Sequence, residues 1–258
     1  MAGNPAAAQA GYAETLRRAS ASGGTVSQVW GIIGLGRLLR EGGDPSASLA
    51  VLEPAIPRFA VADPLWRSLF FTEYGAALLD SSSYDGAQAV LTDSLAAGEL
   101  LANPYLVALA QHHLARVAEA RGDLAAAKSL HHASLALQVR AGLTPGVLES
   151  LEALANLAAR QHSGTEAVRL LAAASAARAS LGLPRSTAAT AAAQQALDLA
   201  RTIVGDVAYT AAEDEGRALT LDAATAYATR GRGNRKRPSS GWASRPARRR
   251  GRRRTGER

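Results

Sequence analysis

Five histidines are the first residues to weigh for chemistry: His112, His113, His131, His132 and His162. Two adjacent pairs on neighbouring helical stretches invite a metal site. Adjacent residues on a helix diverge by about 100°, so neither pair can chelate by itself. A site would need one histidine from each helix plus carboxylates at the same level, and no such supporting ligands are evident. Partly exposed packing histidines are the expectation, with no metal and no cofactor. Gly31, Gly34 and Gly36 stand in the order G-x-x-G-x-G inside a helical stretch, with no strand before them, so they read as helix packing and not as a dinucleotide loop. Asp80 with Tyr84-Asp85 reads as turn and cap chemistry, and Glu213-Asp214-Glu215 as a solvated helix face. No G-x-S-x-G occurs, and no credible triad. No G-x-x-x-x-G-K-[ST] occurs either, and the lysines are Lys128 and Lys236 alone. With no convergent site, an enzyme is not expected.

The arginines are the other chemical signal. Of 258 residues, 29 are Lys or Arg and 22 are Asp or Glu, a formal net charge of +7. From Arg230 to Arg258 there are 13 basic residues and one acid, Glu257, or +12, so the rest of the chain carries −5. A mildly acidic body is joined to a basic tail, and charge blocks of that kind are normally disordered and bind polyanions. The candidate non-specific polyanion contacts are Arg235, Lys236, Arg237, Arg248, Arg249, Arg250, Arg252, Arg253 and Arg254. Phosphate contact by arginine runs works through counterion release, but no aromatics interleave after Trp242 for base stacking.

The elements that must position these groups are helices. Alanine, the best helix former, accounts for 59 residues, and aromatics for only 5% of the chain. There is no cysteine, hence no disulfide and no thiolate site, which suits a reducing compartment. The N-terminus has no continuous apolar core of a secretory signal, and no stretch reaches the roughly 18 apolar residues of a membrane span. A cytoplasmic protein is expected.

Turn signals recur about 20 residues apart, from Gly42-Gly43-Asp44-Pro45 to Leu183-Pro184. Between them apolar residues keep helical spacing, as in Leu106, Leu109, Ala110, Leu114 and Val117, or Leu148, Leu151, Leu154, Ala155 and Ala158. Two helices make a unit, and the units superimpose with a period of 40 residues. Turn positions 42, 82, 122 and 162 align, followed by Ala47, Ala87, Ala127 and Ala167, and then by Ala50, Val90, Leu130 and Leu170. Gly75, Ala115 and Ala155 align before the turns, while Gly36 sits one residue late. A helix–turn–helix unit of this length with a small residue early in each helix predicts an all-α, tetratricopeptide-like α-solenoid. The competing reading is an ordinary antiparallel helix bundle. Pro5 to Ser20 reads as a lone second helix, so the array is expected to begin before residue 1.

The last hundred residues carry a resemblance. Leu151, Glu152, Leu154, Ala155, Arg169, Leu170, Leu171, Ala173, Ala174, Arg178, Leu181, Gly182 and Pro184 match one pattern. Gly205, Ala208, Glu215, Gly216, Arg217, Ala218, Leu219, Thr220, Leu221, Ala223, Ala224, Tyr227 and Ala228 match a second, with Glu213 in place of an aromatic. Arg235–Ser244 completes them. Over residues 147–244 the chain closely resembles the C-terminal part of the helical-repeat region in large ATP-binding LuxR-type transcriptional regulators of actinobacteria. The resemblance implies a P-loop ATPase upstream and a helix-turn-helix DNA-binding domain downstream, and neither occurs in this sequence.

Residues 245–258 replace the expected start of that domain with RPARRRGRRRTGER. One allowed codon choice for Arg249–Arg254 is CGC-CGA-GGT-CGA-CGT-CGN. Read one base on, it gives Ala-Glu-Val-Asp-Val, which resembles the opening of a LuxR-type helix-turn-helix. The tail therefore reads as a shifted frame, with a native basic tail as the alternative. The division expected is a repeat domain at 1–229, a basic linker at 230–244 and an arginine-rich disordered tail at 245–258. The expected function is a sensor region, a truncated fragment that binds a protein, peptide or small effector on its concave face and does not read DNA sequence. The alternative is a stand-alone tetratricopeptide adaptor whose tail binds acidic partners or nucleic acid.

Overall fold

The computed structural model describes residues 10–14, 17–18 and 25–230. These contain no strand. The chain runs as α1 (Thr25–Glu41), α2 (Pro45–Leu52), a short 3₁₀ turn (Glu53–Ala55), α3 (Ile56–Ala60), α4 (Pro64–Asp80), α5 (Tyr84–Leu100), α6 (Pro104–Ala120), α7 (Leu124–Arg140), α8 (Thr144–Arg160), α9 (Gly164–Leu181), α10 (Thr187–Arg217) and α11 (Leu221–Thr229). Consecutive helices pair as hairpins and the hairpins stack, which makes an all-α solenoid.

The starts are chemically marked. Asp44, Asp63, Asn103, Asp123, Ser186 and Thr220 each accept a backbone N–H of the following first turn. Pro45, Pro64, Pro104 and Pro145 occupy first-turn positions, where no N–H is needed. The ends repeat as strictly. Left-handed residues fall at 82, 102, 122, 142, 162 and 182. Beside each one, a backbone N–H reaches back five residues to a carbonyl, as in Ser83 to Leu78, Asn103 to Gly98 and Ser163 to Ala158. This closure satisfies carbonyls that the helix leaves open. A single 20-residue ruler therefore sets every helix end from residue 82 to residue 182.

The first hairpin departs from the ruler by one residue, with its left-handed turn at Gly43. Gly36 shifts in step with it. A Cβ there would meet the Leu52 side chain at 2.9 Å, as one at Gly75 would meet Leu91 at 2.6 Å. Both pairs are 16 residues apart, and the same spacing links Ala115 to His131 and Ala155 to Leu171. Pro54 and Pro57 break the second arm of this hairpin into α2, the 3₁₀ turn and α3.

The apolar core comes in segments, as a solenoid's must. Phe59 and Phe70 stack at 4.0 Å in the first, with Val29, Ile33 and Leu52. A large segment built on α8, α9 and α10 closes the C-terminal end. The middle segment is small, holding Leu79, Ala87, Leu91 and Val117. Past Leu183 the 40-residue period ends. α10 is long and bends at Gly205, whose φ of 76° and ψ of 165° are non-helical.

Candidate functional groove

The first helix of each hairpin turns one repeated face inward. On α6 that face is Leu109, His112, His113 and Arg116, and forty residues on it is Glu149, Glu152, Ala153 and Asn156 of α8. Arg37, Arg40 and Glu41 of α1, Glu73 of α4, Arg178 of α9 and residues at the start of α10 complete a groove of about 410 Å³. No side chain of α5 or α7 lines it. The spacing i, i+3, i+4, i+7 is one face of a helix, so the groove follows from the helical period combined with the repeat period.

Ion pairs brace its wall. Arg40 Nε donates to Glu73 Oε1 at 2.6 Å and Nη1 donates to Asp80 Oδ2 at 3.2 Å. Burial works against the Arg40 charge, but Glu73, then Asp80 and Glu41, hold it above the ordinary arginine range. Arg116 Nη2 donates to the other oxygen of Asp80 at 2.6 Å. Arg178 grips both oxygens of Glu152, at 2.7 and 2.9 Å, and Arg185 adds a third bond to it at 2.7 Å. Glu119 meets His131 Nε2 at 2.6 Å and Arg160 Nη1 at 3.2 Å.

Several acceptors remain unmatched. Glu149 has neither an ion pair nor a hydrogen bond among the described residues. Burial holds its carboxyl above the ordinary carboxylate range; Arg37 and Arg178 pull it down while Glu41 and Glu152 push it up. Asn156 Oδ1 and the Nδ1 atoms of His112 and His113 are enclosed without partners. Burial also holds both imidazoles well below the ordinary histidine range, so they are neutral at pH 7. The charges on Arg116, Arg40 and Arg37 act in the same direction on His112.

The histidines differ from the sequence expectation. His113, His131 and His132 are buried more deeply than partly exposed packing residues, while His112 is half-buried and His162 is exposed. His131 is fully buried at the place where the other hairpins carry Leu52, Leu91 and Leu171. Among the described residues no group of three or more His, Cys, Asp or Glu could hold a metal ion. Asp80 is not a cap but a bridge between two arginines from different hairpins, which offsets the unfavourable place of a carboxylate at a helix C-terminus. Asp85 pairs with Arg121. Gly34 and Gly36 pack against Tyr12 and Leu52, in keeping with helix packing. Glu213 and Asp214 pair with Arg217 and Glu215 with Arg169, and Asp214 and Glu215 stay exposed, in keeping with a solvated face. Arg235, Lys236, Arg237, Arg248, Arg249, Arg250, Arg252, Arg253 and Arg254 lie outside the described residues. No helix among the described residues is long and apolar enough to cross a membrane.

Residues that carry the family resemblance come together in the C-terminal unit. Arg169 donates to the Tyr227 hydroxyl at 2.7 Å, lies over its ring and pairs with Glu215. A Cβ at Gly216 would stand 2.3 Å from the Arg169 carbonyl, so that glycine permits α10 to touch α9. Glu152 with Arg178 is a second such pair. Over 130 residues, half of its length, the chain is 42% identical to proteins of Mycobacterium bovis and of two Mycobacterium tuberculosis strains. Each bears the name "Putative HTH-type transcriptional regulator". Half of this chain is thus similar to regulator sequence. The match spans 15% of the length of those relatives. No protein-family model matches the chain. The crystal structure of BtubC (BKLC) from P. vanneervenii superposes on 95% of this chain and 100% of its own, with a TM-score of 0.60 at 16% identity. That likeness concerns the fold alone.

Proposed function

We propose that this chain is the tetratricopeptide-like sensor region of a LuxR-type transcriptional regulator, and that its groove binds a small effector or a short peptide. Its mechanism is recognition, not catalysis. The observation that carries the reading is the repeated inward face of α6 and α8. It places unmatched acceptors, Glu149 and Asn156, in a partly enclosed space of the size that ligands occupy. Buried polar groups left unpaired cost stability, about 1–3 kcal/mol each, so a fold that retains several in one cavity gains when a ligand supplies their partners. The likeness to mycobacterial proteins named as HTH-type transcriptional regulators supports a regulatory role, for which we propose the cytoplasm as the setting. Hydrogen exchange on the purified chain tests the reading. Binders drawn from a panel of small metabolites and short peptides should slow exchange in α6 and α8. Protection confined to α5 and α7, or absent throughout, overturns it.

A further inference from the structure

The groove's charges show what it lacks. Arg37 is held by Glu41 at 2.7 Å, Arg40 by Glu73, Arg116 by Asp80, and Arg178 and Arg185 by Glu152. Each guanidinium that lines the groove is therefore engaged. Among the lining carboxylates, Glu41, Glu73, Glu119 and Glu152 are engaged as well, and Glu149 is not. The uncharged groups that remain open are Asn156 Oδ1, an acceptor, and the Nδ1 atoms of two neutral imidazoles, which accept when the proton sits on Nε2. His113 is the deepest of these, only 5% exposed, and it lines the same cavity. An anion entering here would meet arginines already engaged and a carboxylate that repels it. A cationic donor would meet a free carboxylate and a wall of acceptors.

We propose that the groove, with Glu149 as counter-ion, takes a ligand bearing a compact cation, a guanidinium or primary ammonium group. The proposal rests on the groove being a binding site at all. Glu149 stands on α8 and shares the groove lining with Arg37 and Glu41 of α1 and Arg178 of α9. A partly enclosed carboxylate is worth more to a cation than one in open water, because the surroundings screen it less. Asn156 and the imidazoles accept the remaining N–H donors of a planar guanidinium, which presents five in a fixed fork.

Three blocked amino acids make the test: N-acetyl-arginine amide, its neutral isostere N-acetyl-citrulline amide, and N-acetyl-glutamate amide. Each is titrated into the full chain by calorimetry to about 10 mM, weak binding being the scale for a single side chain. Hydrogen exchange reports the place. The arginine probe should bind, protect α8, and exceed the citrulline probe by roughly tenfold, the value of one charge-assisted contact. The Glu149→Gln variant should lose that margin while Glu99→Gln, on exposed α5, keeps it. Because Glu149 has no partner to lose, Glu149→Gln should fold at least as stably as the parent chain. If the citrulline or glutamate probe protects the groove as well as arginine does, or Glu149→Gln binds arginine unchanged, the cationic ligand is wrong and the groove reading stands. If no probe protects α6 or α8, both fall.

Discussion

Arg40 and Glu73 form an ion pair whose two side chains are only 9% and 8% exposed, joined at 2.6 Å across the first two hairpins. They fix the angle at which α1 meets α4, and hence one wall of the groove. Removing one partner leaves the other charged and enclosed, which costs about 3–5 kcal/mol, whereas replacing both by apolar groups is often neutral. Arg40→Met should therefore destabilise the chain by about 3 kcal/mol in urea unfolding, and Arg40→Met with Glu73→Leu should recover most of that loss. Losses in Arg40→Met and in Glu73→Leu that simply add in the double variant would show that the pair carries no coupling.

The solenoid was legible in the sequence because turn chemistry and small residues recur at one period. The groove was not, although its ingredients were present. Glu149 looks like any exposed glutamate until the 40-residue period is combined with the helical face that Leu109, His112, His113 and Arg116 share. Which face turns inward is a tertiary fact, set by the segmented core behind it. Asp80 was misread for a related reason. A carboxylate beside a turn resembles a cap, and its two arginines lie 40 and 36 residues away in the chain.

The recurring left-handed turns make a local prediction. Ala102 holds φ at +48°, where an L side chain crowds its own carbonyl. Gly122, Gly142 and Gly182 fill equivalent places without that cost. Ala102→Gly should stabilise the chain by about 1 kcal/mol. A lowered urea midpoint would mean that this turn's ideality is not limiting.

Gly216 makes the opposite prediction. Alanine is the better helix former by about 1 kcal/mol, yet a Cβ here meets a backbone carbonyl, which cannot rotate away. Gly216→Ala should cost about 2 kcal/mol by forcing α10 off α9. Loss of the Arg169–Tyr227 contact, followed by tyrosine fluorescence, should accompany it.

The histidines set the response to acid. Burial depresses the folded-state pKa of both His112 and His113, while the unfolded chain titrates near 6.5. Above that pH both states are neutral and stability is undiminished. Below it the unfolded chain takes up protons that the folded chain refuses, so stability falls by about 1.4 kcal/mol per pH unit for each imidazole. Glu149 works the other way, because its raised pKa lets the folded state accept a proton early as pH drops. There are two such imidazoles against one carboxyl, so the urea midpoint should fall between pH 7 and pH 5.5. His113→Phe should flatten that fall. A midpoint that stays level in the parent chain would show that the imidazoles charge while still folded.

His131 offers the sharpest test of the repeat itself. It is fully buried where Leu52, Leu91 and Leu171 stand in the other hairpins, and its Nδ1 has no partner. Leucine is close to it in volume and has no polar atom to strand. Glu119 would lose the imidazole but keep Arg160. The gain from removing an unpaired buried nitrogen, about 1–3 kcal/mol, outweighs one shared hydrogen bond of about 1 kcal/mol. His131→Leu should therefore raise the melting temperature. If it instead lowers it, the bond between Glu119 and His131 contributes more to this hairpin than apolar burial at the same position does in its neighbours.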